Sequence, residues 1–366
     1  MSQNLGIYLH IPFCRSKCPY CDFFSMRASE HDYNNYIDAL KRCIHFWSSK
    51  IDKTVDTIYI GGGTPSLLSA CQIVEILTAV KSSFDCSANT EITIEANPKS
   101  AVGFDFELAR QSGLNRVSLG VQSANENELR LLGRLHNKNE VETAIEKIKN
   151  CGINNISLDL MLGIPKQTIN SLKNSIDFCT SQDVKHISVY VLKIEENTVF
   201  YKNRNKYNFP DDDKTAELYL FAAEYLAEYG FEQYEISNFC KKGYESIHNL
   251  KYWNLDEYLG IGPSAHSYLN GKRFYYERSI ESFSANKIIE DGEGGNQSEY
   301  IMLQLRLKNG LNLNKYKEVF GELPDKDFFK KTDKYLKLGL LEFKNDTISF
   351  TKNGFLVSNS ILADLI

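Results

Sequence analysis

The sequence predicts an α/β protein: a partial, open (β/α)6 barrel of TIM-like type, followed by a small C-terminal helical domain of winged-helix type. Six β-rich runs alternate with stretches of helical character over roughly the first half of the chain. This alternation is typical of a parallel sheet or barrel. Six such units are too few for a closed eight-stranded barrel. After about residue 292 the pattern changes to two helices and a hairpin, which predicts a separate small domain.

The elements of the barrel are predicted one by one from apolar periodicity and β-branched content. Strands are predicted at residues 6–13, 55–60, 90–95, 116–122, 156–161 and 186–192. The helices between them are predicted at 31–50, 67–83, 104–112, 125–149 and 168–181. A polar loop from residue 201, a helix at 212–229 and a strand at 231–239 are predicted to follow.

Three cysteines lie close together directly after the first predicted strand. Cys14, Cys18 and Cys21 have the spacing C-x3-C-x2-C. A cuboidal iron–sulfur cluster normally takes four thiolates, and three would leave one iron open to a chelating small molecule. The alternatives are a structural zinc site without its fourth ligand, or three unrelated core thiols. Structural zinc usually shows two paired motifs, and the chain has only nine cysteines in 366 residues, so the spacing favours a cluster.

Glycine and polar residues stand where predicted strands end. The glycine run 61–63 ends the second strand, Glu95 the third and Gln122 the fourth, and Asp159 lies on the fifth. The carboxyl ends of parallel strands form one rim, where chemistry is usually found. Taken alone, the glycines fit a tight turn, since they lack the spacing of a phosphate loop, although they would permit close approach to a ligand. Each carboxylate could instead pair with a lysine. A carboxylate left unpaired in the mouth of a barrel would need a cation or hydroxyl groups as partners.

Composition excludes several classes of protein. Hydrophobic residues make up 42% and charged residues 24%, which is ordinary for a globular protein, and the net charge is −5. There is thus no overall attraction to nucleic acid or to an anionic membrane. No apolar run reaches membrane-spanning length, and no signal peptide is recognised. The remaining cysteines are scattered singly, as in reduced cytosolic proteins, so we expect a cytoplasmic protein.

Two histidine motifs follow the predicted barrel. His248, Asn249, Tyr252 and Trp253 form H-N-x-x-Y-W, and His266 lies in G-I-G-P-S-A-H-S. On chemistry alone, His248 is better interpreted as a hydrogen-bonded loop histidine than as a metal ligand. An imidazole beside two aromatic rings would also suit a haem face. Both interpretations stay open at this point.

The C-terminal segment is predicted to form helices at 296–306 and 326–338 and a hairpin at 341–350. Two helices followed by a hairpin suggest a winged helix, and hence the hypothesis that this segment binds nucleic acid. Residues 296–366 contain eleven lysines and arginines against nine acids, which is not the basic footprint of a DNA-binding domain. The segment is therefore better interpreted as a lid or docking module.

The motifs together resemble a known family. The cysteine motif, with Tyr20 just before its last cysteine, resembles that of radical S-adenosylmethionine (SAM) proteins. Residues 8–14, Y-L-H-I-P-F-C, and the later motifs resemble the HemN/HemW group within them. The resemblance covers roughly residues 5–360. It implies a radical SAM core barrel at 1–235, a connecting region with both histidine motifs at 236–291, and a HemN-type C-terminal domain at 292–366.

The resemblance also implies three cofactors: a [4Fe-4S] cluster, SAM and haem. The residues implied to bind the cluster are Cys14, Cys18 and Cys21. The residues implied to line the SAM pocket are Tyr8, Tyr20, Gly61, Gly62, Gly63, Thr64, Glu95, Gln122, Arg134 and Asp159. The residues implied to bind haem are His248, Asn249, Tyr252 and Trp253, with His266 as the second choice of ligand. No catalytic residue is assigned.

The HemN/HemW group contains two functions from different classes. HemN-type proteins are oxygen-independent coproporphyrinogen III oxidases, whereas HemW-type proteins are haem chaperones that pass haem to acceptor proteins. Three features favour the chaperone. Phe23 stands where HemN-type enzymes carry a fourth cysteine, only thirteen residues precede Cys14 where they have a longer extension, and H-N-x-x-Y-W belongs to the HemW pattern. A winged-helix redox regulator is a third class, which the charge balance does not support.

Partners and location follow from the chaperone interpretation. We expect haem-accepting proteins, respiratory membrane haemoproteins among them, an electron donor if SAM is cleaved, and a homodimer as an assembly state. We expect no nucleic acid, no integral membrane segment, and no more than a transient association with a membrane. Enzymatic activity is left open, with coproporphyrinogen III dehydrogenase activity expected to be absent.

Overall fold

The computed structural model describes residues 4–366 and is organised around one large mixed sheet. The first six strands of this sheet are β1 (Asn4–Ile11), β2 (Thr54–Gly62), β3 (Cys86–Ala96), β4 (Arg116–Gln122), β5 (Asn155–Leu162) and β6 (His186–Val191). The other six are β7 (Glu232–Gln233), β8 (Asn238–Cys240), β9 (Tyr258–Ile261), β10 (His266–Leu269), β11 (Lys272–Tyr276) and β12 (Ile288–Glu293). Their order across the sheet is β12-β11-β10-β9-β1-β2-β3-β4-β5-β6-β8-β7.

Helices connect these strands and cover the outer face of the sheet. Those of the barrel are α1 (Glu30–Ser48), α2 (Ala70–Ser83), α3 (Pro98–Ala101), α4 (Phe106–Gln111), α5 (Glu126–Leu131), α6 (Lys138–Asn150) and α7 (Ile169–Ser181). After the barrel come α8 (Val199–Lys202), α9 (Asp212–Glu228), α10 (Ile247–Trp253) and α11 (Ile280–Ser284). Short 3-10 helices occur at Pro65–Leu67 and Arg204–Lys206.

The six strands β1 to β6 are parallel and lie side by side in chain order, so the predicted (β/α)6 barrel is confirmed. Each strand alternates between two environments. The outward residues are apolar and pack against the helices, for example Ile92 and Ile94 on β3 and Val117 and Leu119 on β4. The inward residues are polar, and they include the hydrogen-bonded pair Ser118 and Asp159. This alternation gives the barrel a polar interior below its open mouth.

Two predicted elements differ from the structure. The helix predicted at 125–149 is two helices, α5 and α6, because the chain turns at Gly133, where φ is +65°. The loop between them directs Arg134 toward the cysteines and buries His136. The strand predicted at 231–239 is a hairpin of two very short strands, β7 and β8, which extends the sheet beyond β6.

The region predicted as a connector, 236–291, contributes strands to the same sheet. Strand β9 pairs in parallel with β1, with Tyr8 opposite Gly260, and β10, β11 and β12 continue from it in antiparallel fashion. Helix α10 lies against β2 through His248, whose ring is hydrogen-bonded to Thr57. The division of the chain at residues 235 and 291 stays a prediction.

A small C-terminal domain packs helices against a three-stranded sheet. Its helices are α12 (Gln297–Gln304), α13 (Leu313–Phe320), α14 (Lys326–Lys337), α15 (Lys352–Leu356) and α16 (Ser358–Leu365). Its strands β13 (Leu311–Asn312), β14 (Leu341–Lys344) and β15 (Thr347–Phe350) lie in the order β13-β15-β14. The predicted hairpin turns at Asn345 and Asp346, both with positive φ, as a two-residue turn requires. Across residues 4–366, no helix combines the length and apolarity needed to cross a membrane.

Candidate functional site

The carboxyl ends of the barrel strands surround a cavity of about 610 Å³. Eleven of the thirteen residues predicted for the cluster and SAM line it. They are Cys14, Cys18, Tyr20, Cys21, Gly62, Gly63, Thr64, Glu95, Gln122, Arg134 and Asp159. The cysteine loop, the glycine run and the strand-end carboxylates thus share one mouth, as the strand-end argument expected.

The loop that carries the three cysteines is closed at its base by backbone hydrogen bonds. The amide of Cys14 donates to the carbonyl of Met26 at 3.0 Å, and the amide of Met26 donates to the carbonyl of Pro12 at 2.8 Å. Inside the loop, the amide of Cys21 donates to the carbonyl of Cys18 at 3.1 Å. The loop therefore leaves the end of β1 and returns to it, and its thiols face the cavity.

Two further contacts hold residues 22–24, where this loop returns toward the barrel. The Nε2 atom of His10, on β1, is 2.9 Å from the carbonyl oxygen of Phe24. Arg278, which follows β11, contacts the Asp22 side chain at 3.3 Å and donates to the Asp22 backbone carbonyl. The cysteine loop is thus attached both to the barrel and to the strands that extend it.

The donor set fits a cuboidal cluster. Cys14, Cys18 and Cys21 are free thiols, each partly exposed. Over residues 4–366, no three His, Cys, Asp or Glu side chains converge tightly enough to hold a single metal ion. Each thiolate of a cuboidal cluster binds a different iron, so thiols distributed around a cavity suit such a group. Burial raises the pKa of the Cys21 thiol to about 11, a cost that bonding to iron would offset.

Side chains next to the thiols complete the surroundings of the proposed cluster. The Sγ of Cys14 lies 3.5 Å from the Thr64 hydroxyl, and the Nη1 of Arg134 lies 3.8 Å from the Sγ of Cys18. Arg134 is fixed by a 2.6 Å hydrogen bond from Nη2 to the carbonyl of Gly120. Its Nε is buried and has no hydrogen-bond partner among residues 4–366.

The glycine run brings backbone against the Glu95 carboxylate. The amide of Gly62 donates to Oε2 of Glu95 at 3.0 Å, and the Tyr59 hydroxyl donates to Oε1 at 2.9 Å. Gly62 has a φ of +110°, and a Cβ there would come within 3.0 Å of the Cγ of His10 and closer still to Nδ1 and Cε1. Both the backbone conformation and the packing therefore require glycine at position 62.

Glu95 and Asp159 are the two acidic groups deep in the cavity. Burial raises the pKa of Glu95 to about 7, against the opposing effect of its two hydrogen bonds. Burial also raises the pKa of Asp159, whose oxygens accept hydrogen bonds from Ser118 at 3.0 and 3.1 Å. Buried carboxyl groups with raised pKa values are suited to a ligand that supplies a positive charge or hydroxyl groups as partners.

Two predicted SAM residues lie outside the cavity lining. Tyr8 sits behind it, with its hydroxyl 3.0 Å from Nδ1 of His10 and its ring stacked on Tyr59 at 6.1 Å. Gly61 is also behind the surface, and a Cβ there would come within 3.0 Å of the Glu95 carboxylate. Both residues support the groups that form the wall. Their assignment to the pocket stays a prediction.

The residues predicted for haem lie away from this cavity. His248 is 1% exposed, with Nδ1 2.8 Å from the Thr57 hydroxyl and Nε2 2.9 Å from the Tyr252 hydroxyl. Asn249 and Trp253 lie on the same helix, α10. Both ring nitrogens of His248 are therefore engaged in the interior, and its role as an iron ligand stays a prediction. His266, the second choice, is exposed on β10.

Some lining residues were missed by the sequence argument. Tyr190 and Lys193 line the cavity at the end of the sixth strand, and Ser118 holds Asp159 from the fourth. The same strand-end rule that selected Glu95 and Gln122 would have found Tyr190 and Lys193.

Comparison with known proteins agrees with this geometry. A family model for the radical SAM superfamily matches residues 8–179, and one for the HemN C-terminal domain matches residues 298–357. A protein of Lactococcus lactis named heme chaperone HemW is 34% identical over 363 residues, covering 97% of this chain and 95% of its own. The Bacillus subtilis protein of the same name is 33% identical, covering 97% of each chain. This chain belongs to the HemW family.

The HemW family falls within the radical SAM superfamily, so its fold is the radical SAM barrel, and a [4Fe-4S] cluster and SAM are the implied cofactors. The solved structure of coproporphyrinogen III oxidase (HemN) from Escherichia coli superposes with a TM-score of 0.84. It covers 99% of this chain and 89% of that one at 20% identity. At that identity the likeness shows the fold and leaves the activity to other arguments.

Proposed function

We propose that this protein is a haem chaperone that binds haem, a [4Fe-4S] cluster and SAM and delivers haem to acceptor haemoproteins. The observation that carries the proposal is similarity along nearly the full length of both chains to proteins named heme chaperone HemW. Respiratory membrane haemoproteins as acceptors, an electron donor and a homodimeric state are part of the same proposal.

Within this function, the cavity holds the cluster and SAM. Cys14, Cys18 and Cys21 would ligate three irons. When bound there, the cluster would supply an iron that is open to the amino and carboxylate groups of SAM. The chain's own contribution is to orient SAM. Glu95, held by the Gly62 amide, would accept hydrogen bonds from an ammonium or from ribose hydroxyls.

The wall opposite the glycine run would bind other parts of SAM. Asp159, held by Ser118, offers carboxylate oxygens at depth, and Gln122 offers an amide at the end of β4. Arg134, whose Nη1 lies beside Cys18, has a buried Nε without a hydrogen-bond partner within residues 4–366 and can donate to an anionic group. A site built from such buried polar groups loses affinity when any one partner is removed.

The competing function is oxidative decarboxylation of coproporphyrinogen III. Phe23 favours the chaperone, because it stands where the oxidase pattern has a fourth cysteine. In the structure Phe23 lines the cavity mouth with 69% of its surface exposed. An exposed phenylalanine offers apolar contact to a docking ligand or partner and no thiol chemistry.

The test measures both functions on the same cluster-loaded protein. We expect one haem per chain that survives gel filtration and transfers to an apo-haemoprotein. We also expect no protoporphyrinogen from coproporphyrinogen III, SAM and a reductant. Turnover at rates typical of enzymes, on the order of 1 per second or faster, would refute the proposal. Failure of the wild-type protein to retain haem would refute it as well.

A further inference from the structure

We infer that His186, buried below the cavity, is a positioning residue for Asp159, because it directs the hydroxyl proton of Ser157 toward that carboxylate. The inference rests on the proposed function, since Asp159 is one of the groups assigned to SAM. It depends on a chain of hydrogen bonds inside the barrel that has one favourable direction.

The chain joins one backbone amide and four side chains. The amide of Ser246 donates to the Tyr234 hydroxyl at 3.2 Å. That hydroxyl is 2.9 Å from Nε2 of His186, and Nδ1 of His186 is 2.7 Å from Oγ of Ser157. The Oγ of Ser157 lies 3.4 Å from Oδ1 of Asp159. His186 and Ser157 are 0% exposed, so they depend on the chain for their hydrogen bonds.

The backbone amide at one end sets the direction of the chain. An amide can only donate, so the oxygen of Tyr234 accepts from Ser246. Among residues 4–366, the other partner of this hydroxyl is Nε2 of His186, and a buried hydroxyl proton without a partner is costly. Tyr234 therefore donates to Nε2. Burial lowers the pKa of His186 well below its usual value, so the neutral ring carries its one proton on Nδ1.

The position of that proton decides where the hydroxyl of Ser157 points. With Nδ1 protonated, His186 donates to Ser157, and the Ser157 proton is left for Asp159 or for Oγ of Ser188, 3.3 Å away. Ser188 is directly opposite Asp159 in the register of β5 and β6. The other tautomer of His186 would accept the Ser157 proton and remove it from Asp159. A donor chain of fixed direction also strengthens each hydrogen bond along it.

Asp159 needs these donors because its surroundings disfavour a charged carboxyl group. Burial raises its pKa, and hydrogen bonds from Ser188, Ser118 and Ser157 act in the opposite direction. The titratable and charged groups that face it are Tyr59 on β2, Glu95 on β3, Arg116 on β4, Cys179 on α7 and Tyr190 on β6. Arg116 is the one cation among them. The hydroxyl donors therefore help to keep the carboxylate form, which accepts hydrogen bonds from a ligand.

The first measurement is the tautomer of His186 in the full-length protein, by nitrogen NMR of labelled histidine. The His186 signal is identified by its loss in His186→Asn. We expect Nδ1 to carry the proton in the wild type. In Tyr234→Phe, which removes the donor to Nε2, the proton should be shared between the two nitrogens. Tyr219→Phe is the matched control, because its hydroxyl donates to the Ile236 carbonyl at 2.8 Å and lies outside the chain.

The second measurement is the SAM affinity of cluster-loaded protein between about pH 5 and pH 8, across the range in which a buried carboxyl group with a raised pKa titrates. At the acidic end, Tyr234→Phe should bind SAM about twofold to fivefold more weakly than the wild type, a fraction of one hydrogen bond to a charged group. Ser157→Ala should lose at least as much. The ratio of wild-type to variant affinity, in which the titration of Glu95 cancels, should approach one at the alkaline end. Tyr219→Phe should match the wild type throughout.

The outcomes separate this inference from the function on which it rests. A wild-type protein that binds no SAM would overturn the proposed use of the cavity and the role of His186 with it. A wild-type protein that binds SAM, with the His186 proton on Nε2, would overturn the inference alone. So would a Tyr234→Phe protein with an unchanged tautomer, or a Ser157→Ala protein whose affinity ratio does not vary with pH, since a purely structural defect would give such a constant ratio.

Discussion

Replacing Gly62 by alanine should damage both the fold and the SAM site, and the structure allows the size of the effect to be worked out. At a φ of +110° an alanine is strained, which costs about 1–3 kcal/mol. Its Cβ would also press into the ring of His10, and overpacking of this kind costs a further 1–3 kcal/mol or so. We therefore expect the free energy of unfolding to fall by about 2–6 kcal/mol.

A matched control separates the cost of backbone strain from the cost of the clash with His10. Gly271 also has positive φ, +75°, but a Cβ there would meet nothing within 4 Å. Gly271→Ala should therefore cost only the backbone strain, and both variants share the loss of flexibility in the unfolded chain. The assay is urea unfolding followed by circular dichroism, with SAM titration of the cluster-loaded proteins beside it. Gly62→Ala should lose SAM affinity, whereas Gly271→Ala should keep it.

The clash itself is tested by removing its partner. In the double variant Gly62→Ala with His10→Ala, the alanine no longer meets an imidazole. The two substitutions should then be less destabilising together than the sum of the single effects, with a coupling of about 1–3 kcal/mol. The reasoning is refuted if Gly62→Ala and Gly271→Ala unfold alike, or if the two substitutions add without coupling.

Three further predictions follow. Changing any one of the three motif cysteines to alanine should abolish binding of the roughly four irons expected per reconstituted chain, as measured by iron analysis. Cys43→Ala is the matched control, and loss of iron in that variant would contradict the cluster assignment. Glu95→Ala should bind SAM more weakly while keeping its iron. Because the pKa of Glu95 is about 7 and its carboxylate form is the acceptor, wild-type affinity should rise between about pH 6 and pH 8; a pH-independent titration would contradict this. Burial lowers the pKa of His136 to about 4, so the unfolded state alone gains a proton as pH falls below 6.5. Relative to His136→Gln, which can keep the hydrogen bond to the Val121 carbonyl, the wild-type free energy of unfolding should fall by about 1.5 kcal/mol between pH 6.5 and pH 5. Stability curves that stay parallel for the two proteins would refute this prediction.

The six barrel strands could be predicted because each carries its own signal. Every run from β1 to β6 has apolar outward residues at period two. Gly62, Glu95 and Gln122 lie at or next to the ends of β2, β3 and β4, at the rim of the barrel. The side chains predicted from that rim, such as Glu95 and Asp159, do meet in one cavity. Local pattern was sufficient there because parallel strands in chain order place their ends together.

What could not be predicted depends on pairing between distant segments. Nothing in residues 258–261 indicates that they join β1 rather than form a connector, because the partner lies far away in the chain. The break at Gly133 was missed because apolar periodicity continues on both sides of it, in α5 and α6. The burial of His248 depends on Thr57 and Glu91, two residues on other strands, so its motif alone could not show which groups it contacts.

The pairing of β9 with β1 has a consequence for how the chain is completed during synthesis. β1 emerges first, yet one of its two neighbours is supplied about 250 residues later, where Gly6 is opposite Tyr258. Until then one edge of β1 has unpaired backbone groups, which invite association with other chains. Arg278, which contacts the cysteine loop, emerges later still. Contacts of such long sequence separation form slowly, so the cysteine loop reaches its final arrangement only near the end of folding. A newly made chain would therefore be ready for its cluster after most of its length has left the ribosome.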